Sequence, residues 1–136
     1  MKIVMVVNNE LPLGLVANAT AVLGISLSKM FPQEIVGCDI QDASGNIHRG
    51  ITAQTIPVLG ANREQIKEIR DKMFNEAYSD ITVIDFSEVA QRSLEYDNYI
   101  KMLSCLPSSD IYYLGICLYG PKKQVNKLTG NIGLLR

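Results

Sequence analysis

Two segments of this chain are apolar at nearly every position. Lys2 to Asn8 reads KIVMVVN, and Ile111 to Tyr119 reads IYYLGICLY. A strand with one wet face alternates apolar and polar residues, whereas a strand covered on both faces is continuously apolar. β-Branched and aromatic residues fill both runs, which favours strand over helix. Both segments are therefore expected at the centre of a sheet, with helices on each side of it.

The rest of the chain supplies those helices. Leu13 to Phe31 carries one charge, Lys29, and is followed by Pro32, which stops a helix. Apolar residues occur on almost every side of this segment, so it is expected to be buried all round. Two readings of that surplus stay open: a core helix wedged between sheet and neighbouring helices, or a helix with one face in a homodimer interface. Asp42-Ala43-Ser44-Gly45-Asn46 is a turn signal between the extended stretches Glu34 to Gln41 and Ile47 to Thr52, which predicts an extra hairpin near residues 35–52. Gln54 to Leu59 predicts a strand at a sheet edge, because Pro57 has no ladder donor.

Asn62 and Gln65 stand at capping-box spacing, and Ile66, Ile69, Met73 and Ala77 continue at helical period. A short strand is expected over Ile81 to Asp85. Ser87 then caps a helix that turns Val89, Leu94, Ile100 and Leu103 toward the core until Pro107. Gly120-Pro121 opens a last short helix through Leu128. Strands alternate with helices, so residues 1–136 are expected to form one α/β domain with helices on both faces of a small sheet.

Composition narrows the function classes. The chain has 136 residues, 47% of them apolar and 20% charged, enough to bury roughly 68% of its unfolded surface. No apolar run approaches the ~20 residues of a membrane span. Met1 to Val7 lacks the longer apolar stretch and small-residue cleavage site of a signal peptide, so a cytoplasmic protein without a membrane partner is expected. Cys38, Cys105 and Cys117 are odd in number and irregularly spaced, and all three are expected reduced. A single histidine, His48, and no CxxC or HExxH provide no ligand cluster for zinc, and no metal or cofactor is expected. The balance of 13 basic against 14 acidic residues argues against a general nucleic-acid binder and gives tRNA binding no support. Yet the last 18 residues hold Lys122, Lys123, Lys127 and Arg136 without an acid, so an anionic partner is expected to meet that segment.

Candidate site residues fall in two groups. Gly120-Pro121-Lys122-Lys123 puts two ammonium groups on the first turn of a helix whose free backbone donors already favour an anion. The bland alternative is a solvated turn, since the remaining glycines of a Walker loop are absent. Asn8, Asn9 and Glu10 leave the end of the first strand, and Asn18 lies in the second turn of the apolar helix. These amides either satisfy local backbone groups or converge on a ligand at the carboxyl ends of the strands. Asp85 closes the third strand and is the best-placed general base, unless it merely caps the following helix. His48 follows the hairpin turn with no nucleophile beside it in sequence, and GxSxG is absent.

Leu114-Gly115-Ile116 through Gly120-Pro121, then Val125, Lys127, Leu128, Thr129, Gly130 and Leu134, resembles the closing motif of type II peptidyl-tRNA hydrolases. The opening Asn8-Asn9-Glu10-Leu11 into Gly14 and Ala17 is similar to that family's first strand and helix. Over nearly the whole chain, the phrases NNELPLGLVANATAVLG, HRGIT and YGPKKQVNKLTGNIGLLR resemble a bacterial family of unknown function that shares the hydrolase fold. This resemblance implies a three-layer α/β/α fold with a four-stranded mixed sheet of order 2-1-4-3, the fourth strand antiparallel to the rest. Where the hydrolases carry a catalytic lysine at the start of the first helix, this chain aligns Leu15, and the following glutamine becomes Ala19. An apolar side chain neither transfers a proton nor holds a phosphate, so peptidyl-tRNA cleavage is not expected. The hydrolases' aspartate after the third strand corresponds to Asp85 with a shift of one residue.

Three function classes stay open. The first, and preferred, is a module that binds a small anionic or nucleotide-like ligand, through Asn8, Asn9 and Asn18 or through Lys122, Lys123 and Lys127. The second is a hydrolase of RNA-linked or phosphorylated esters or amides with Asp85 as base. The third is a structural homodimer built on the apolar first helix.

Overall fold

The computed structural model describes residues 1–136. In chain order the elements are β1 (Lys2–Asn8), α1 (Leu13–Met30), α2 (Pro32–Ile35), β2 (Ile40–Gln41), β3 (Ile47–His48), β4 (Val58–Ala61), α3 (Arg63–Lys72), β5 (Thr82–Ser87), α4 (Glu88–Arg92), α5 (Tyr96–Ser104), β6 (Tyr113–Gly120) and α6 (Lys122–Thr129). Four strands form a mixed sheet in the order β4-β1-β6-β5. β1 runs parallel to β4, while β6 is antiparallel to both of its neighbours.

The two apolar runs are the two inner strands, and the layers on each side explain their composition. Val4 and Val6 of β1 and Ile116 and Leu118 of β6 meet Ile66 and Ile69 of α3 and Val125 of α6. The alternate residues Ile3, Met5, Cys117 and Tyr119 meet Ala19, Leu23 and Leu27 of α1 on the opposite face. Both sides of each strand are dry, so neither strand has a polar position to spare.

α1 differs from expectation. Only Val16, Ala19, Leu23 and Leu27 are buried, while Leu13 and Ile25 are 83% and 75% exposed. One sheet covers one stripe of a helix, and no further layer lies outside α1. With 18 residues and a mean hydropathy of 1.4, this helix is also long and apolar enough to cross a membrane by length and composition. A search for unbroken apolar runs passes over it, because serine, threonine and glycine interrupt the sequence.

Three boundaries move, each for a local reason. Pro32 starts a helical turn instead of merely ending α1, so the hairpin's first leg begins at Val36, bridged to Thr52. The hairpin keeps only two-residue strands, with Gly45 at φ 89° in its turn and every residue from 36 to 49 exposed. α3 has the expected capping box at Asn62 and Gln65 but ends at Lys72, and Ala77 belongs to a separate short turn capped by the Asn75 side chain. The single helix expected after Ser87 is two. Ser87 caps α4, Ser93 turns extended, and α5 follows with no buried residue. Of the four side chains expected in the core only Val89 is buried, whereas Leu94 is 98% exposed.

The Pro57 strand forms as an edge strand but starts after the proline, whose carbonyl accepts from the Met5 amide. Its outer side is not free. Gly60 N–H donates to the Gly133 carbonyl and Leu135 N–H to the Val58 carbonyl, so the C-terminal segment covers this edge.

Candidate functional site

β1, β4 and β5 point the same way, so Asn8, Ala61 and Ser87 share one end of the sheet with the starts of α1, α3 and α4. Ligands in open α/β folds favour this end, but the three asparagines do not converge there. Asn8 is buried and its Oδ1 accepts the Glu10 N–H at 2.9 Å, which satisfies it within a local turn. It lines a pocket of about 210 Å³ with Leu15, Glu88, Arg92 and Tyr113. Asn9 opens onto a different concavity beside Leu135 and Arg136. Asn18 is exposed, because two residues along a helix from the buried Val16 turns a side chain by about 200°.

Asp85 sits within β5 rather than at its end, paired across the sheet with Ile116 and therefore on the face that α3 covers. Arg70 Nε donates to its Oδ2 at 2.6 Å, with the two side chains 13% and 21% exposed. The candidate base is thus committed to an ion pair. It is one rung of a ladder formed by Arg63, Lys67 and Arg70, three cations on one face of α3. The Arg63 guanidinium donates to the Glu88 carboxylate at 2.7 and 2.9 Å and lies 3.5 Å from the Tyr112 ring centroid. Lys67 Nζ donates to the carbonyls of Ser108 and Ile111 at 2.8 Å each and pairs with Asp71.

Titration behaviour agrees with structural roles. The Arg63 hydrogen bond holds the Glu88 carboxyl below its ordinary value, and Glu88 in turn raises the Arg63 guanidinium. Burial, with the Asp85 charge adding to it, pushes Tyr113 up to about 12 and raises Tyr99. None of these groups is moved toward neutral pH, where general acid-base work is most efficient.

The opposite end of the sheet divides the lysines expected to act together. Lys122 lines a cavity of about 540 Å³ with Lys2, Gln54, Thr55 and Pro57. Lys123 is exposed and lines none of the cavities, while Lys127 borders a separate groove with Glu68 and Lys72. Lys2 and Lys122 form no ion pair, and no carboxylate lines their cavity. Lys2 Nζ does donate to the Asn126 side-chain oxygen at 2.5 Å. The first turn of α6 has no acid and no side-chain cap, so its leading N–H groups are free.

Lys2 was missing from the sequence candidates. Its signal was a charge at the head of an otherwise apolar strand. Its meaning needed the antiparallel register that sets Lys2 opposite Gly120, beside the start of α6.

His48 lies on the hairpin, 2.8 Å from Asp42 Oδ2, and this contact holds the Asp42 carboxyl below its usual range. The imidazole ties the turn together and lines none of the cavities. No three side chains of the His, Cys, Asp and Glu types gather as metal ligands.

Together these features define a mixed α/β protein with helices on both faces of its sheet and separate polar sites at the two ends. The chain belongs to the family described as protein of unknown function DUF2000, whose model matches residues 1–136. Its fold is similar to the solved structure of a protein of unknown function from Agrobacterium tumefaciens, with a TM-score of 0.86 and 22% identity, over 98% of this chain and 96% of that one. At such identity the likeness concerns the fold alone. No curated protein matches the sequence.

Proposed function

We infer that this protein binds a small phosphorylated or carboxylated molecule in the cavity between Lys2, Lys122 and the segment Gln54 to Pro57. The observation behind this reading is the contrast between two sets of cations. Those on α3 are each matched by a carboxylate, whereas Lys2 and Lys122 share a cavity that contains none. The free N–H groups at the start of α6 add to the same field. At about 540 Å³ the cavity has the size of a small-molecule site, larger than one phosphate needs, so a nucleotide-like ligand fits the reading.

The fold reading joins it. Numbered without the two hairpin strands, the sheet order is 2-1-4-3 with the fourth strand antiparallel to its neighbours. We take this as the type II peptidyl-tRNA hydrolase-like arrangement that the sequence resemblance implies. A hydrolase using Asp85 draws little support, since Arg70 holds that carboxylate, and Leu15, aligned with the hydrolases' lysine, lines a different pocket from the one Asp85 borders.

Titration with inorganic phosphate and with adenosine monophosphate, followed by amide NMR, tests the reading. Saturable shifts at Lys2, Gln54, Thr55 and Lys122 are expected, weakened at least tenfold by Lys2→Glu with Lys122→Glu, and reduced by added salt. Equal binding by the double variant, or no saturable shift with either anion, refutes it.

A further inference from the structure

Five cavities open on this chain, and four of them are lined by at least one lysine or arginine. The exception lies along β5, the outer strand at the sheet edge opposite β4. Its volume is about 480 Å³, and Asp85 and Glu95 are its only charged lining residues. Ile84 and Phe86 of β5 and Val22 of α1 give it an apolar side, continuous with the core layer beneath α1. Tyr96 and Tyr99 of α5 give it an aromatic side. Their ring centroids are 5.4 Å apart and the planes meet at 74°, so the pair presents electron-rich ring faces in two directions.

The polar side chains of this groove are nearly all acceptors. A hydroxyl has one hydrogen to give. Ser26 Oγ gives its hydrogen to the Val22 carbonyl at 2.9 Å and Ser93 Oγ to the Val89 carbonyl at 2.8 Å, which leaves both oxygens with lone pairs only. Arg70 bonds Asp85 through Oδ2, and Oδ1 takes no hydrogen bond from the chain. Glu95 precedes α5 without capping it and enters no ion pair. Among the lining side chains only the two phenols remain as donors. Since Arg70 balances Asp85 from the α3 side, Glu95 leaves the groove with a net negative charge.

We propose that this groove binds a small organic cation, a primary ammonium carried on an apolar body. The balance of charge and donors selects that class. The ammonium hydrogens meet carboxylate and hydroxyl lone pairs, the tyrosine ring faces attract the positive charge, and the body lies against Val22, Ile84 and Phe86. A carboxylate or phosphate finds neither a cation nor a serine donor here, and a hydrated metal ion makes no use of the apolar side. At about 480 Å³ the groove has the size of a small-molecule site. It shares no residue with the cavity of Lys2 and Lys122, so occupation of one does not depend on the other.

Titration of the full chain with phenethylammonium, followed by amide NMR, tests this, with 2-phenylethanol as a neutral body of the same shape and 3-phenylpropionate as an anion. Saturable shifts at Phe86, Ser93, Tyr96 and Tyr99 are expected with the ammonium. Binding should be about tenfold tighter than that of the alcohol, weaker in added salt, and absent from these residues with the carboxylate. Glu95→Gln and Tyr96→Leu alter exposed side chains, so circular dichroism should stay native for each. Each should weaken the ammonium about threefold, and both together about tenfold, which removes its preference over the alcohol. Equal affinity for ammonium and alcohol, groove binding of the carboxylate, no saturable shift with the ammonium, or native variants that bind it as the wild type does overturns the proposal. Groove shifts that follow protein concentration and ignore the ammonium give the groove to a second copy, and they overturn it too.

Discussion

Removing the Asp85 carboxylate tests whether it serves structure or chemistry. In Asp85→Leu the Arg70 guanidinium, 13% exposed, loses the oxygen 2.6 Å from its Nε. Two charges with centres about 4 Å apart attract by about 4 kcal/mol at an effective dielectric of ~20. Leaving one member of a buried pair unmatched costs about 3–5 kcal/mol, and the remaining solvent contact of this pair puts the loss at the lower end, about 3 kcal/mol. Unfolding entropy for a chain of 136 residues is roughly 0.3 kcal/mol/K, so Tm should fall by about 10 °C. Arg70→Met should cost less, because the remaining carboxylate lies on an edge strand and water can reach it. The double variant should recover most of the loss, since apolar residues of similar volume replace a buried pair at little cost. Urea unfolding of all four proteins closes the cycle. A loss under about 1 kcal/mol for Asp85→Leu, or a double variant less stable than either single one, refutes the structural role.

Other expectations follow from single contacts. In Gly50→Ala the added Cβ falls 1.9 Å from the Gly37 carbonyl oxygen, so the hairpin's legs must part; Tm should hold within about 2 °C while the Gly37 and Gly50 amides exchange at least tenfold faster. A lowered Tm with unchanged exchange contradicts this. Cys117 is buried, its thiol pushed up to about 12, so a colorimetric thiol reagent should titrate Cys38 and Cys105 in dilute native protein and Cys117 only after denaturation. Three thiols reacting together natively would count against that packing. The depressed Glu88 carboxyl contributes stability above its ordinary value of 4.5 that is lost as acid protonates it, so Glu88→Gln should flatten the fall in stability below that pH. Parallel acid titrations of variant and wild type would show the Arg63 contact to be without weight.

The central sheet was legible in the sequence because burial on both faces leaves an unbroken apolar run, and KIVMVVN has no other simple reading. The capping box at Asn62 and Gln65 and the cap at Ser87 were legible because each is a contact between near neighbours. The site was much less so. Asn8, Asn9 and Asn18 are close in sequence, but a strand end and a helix turn send them in three directions. Lys122, Lys123 and Lys127 share one helix, yet only Lys122 meets Lys2, and that meeting is set by a strand register spanning almost the whole chain. Asp85 looked free because its partner, Arg70, lies on a helix whose placement across the sheet no local pattern reveals.

The errors on α1 and α5 have a different physical origin. Hydrophobic periodicity records which residues are covered in the form that the sequence serves, without saying what covers them. Leu94 and Ile100 read as core residues, yet they are 98% and 52% exposed, because Ser93 turns extended and α5 does not continue the buried side of α4. Val36, Cys38 and Ile40 lie in the expected extended stretch Glu34 to Gln41, and all three are exposed on the hairpin. The pattern marks which residues could be covered, and the chain breaks at Pro32 and Ser93 decide which of them the sheet reaches. α5 accordingly keeps an apolar side although none of its residues is buried. The two sheet edges differ in the same way: Gly133 to Leu135 cover β4, while no backbone hydrogen bond reaches the outer side of β5.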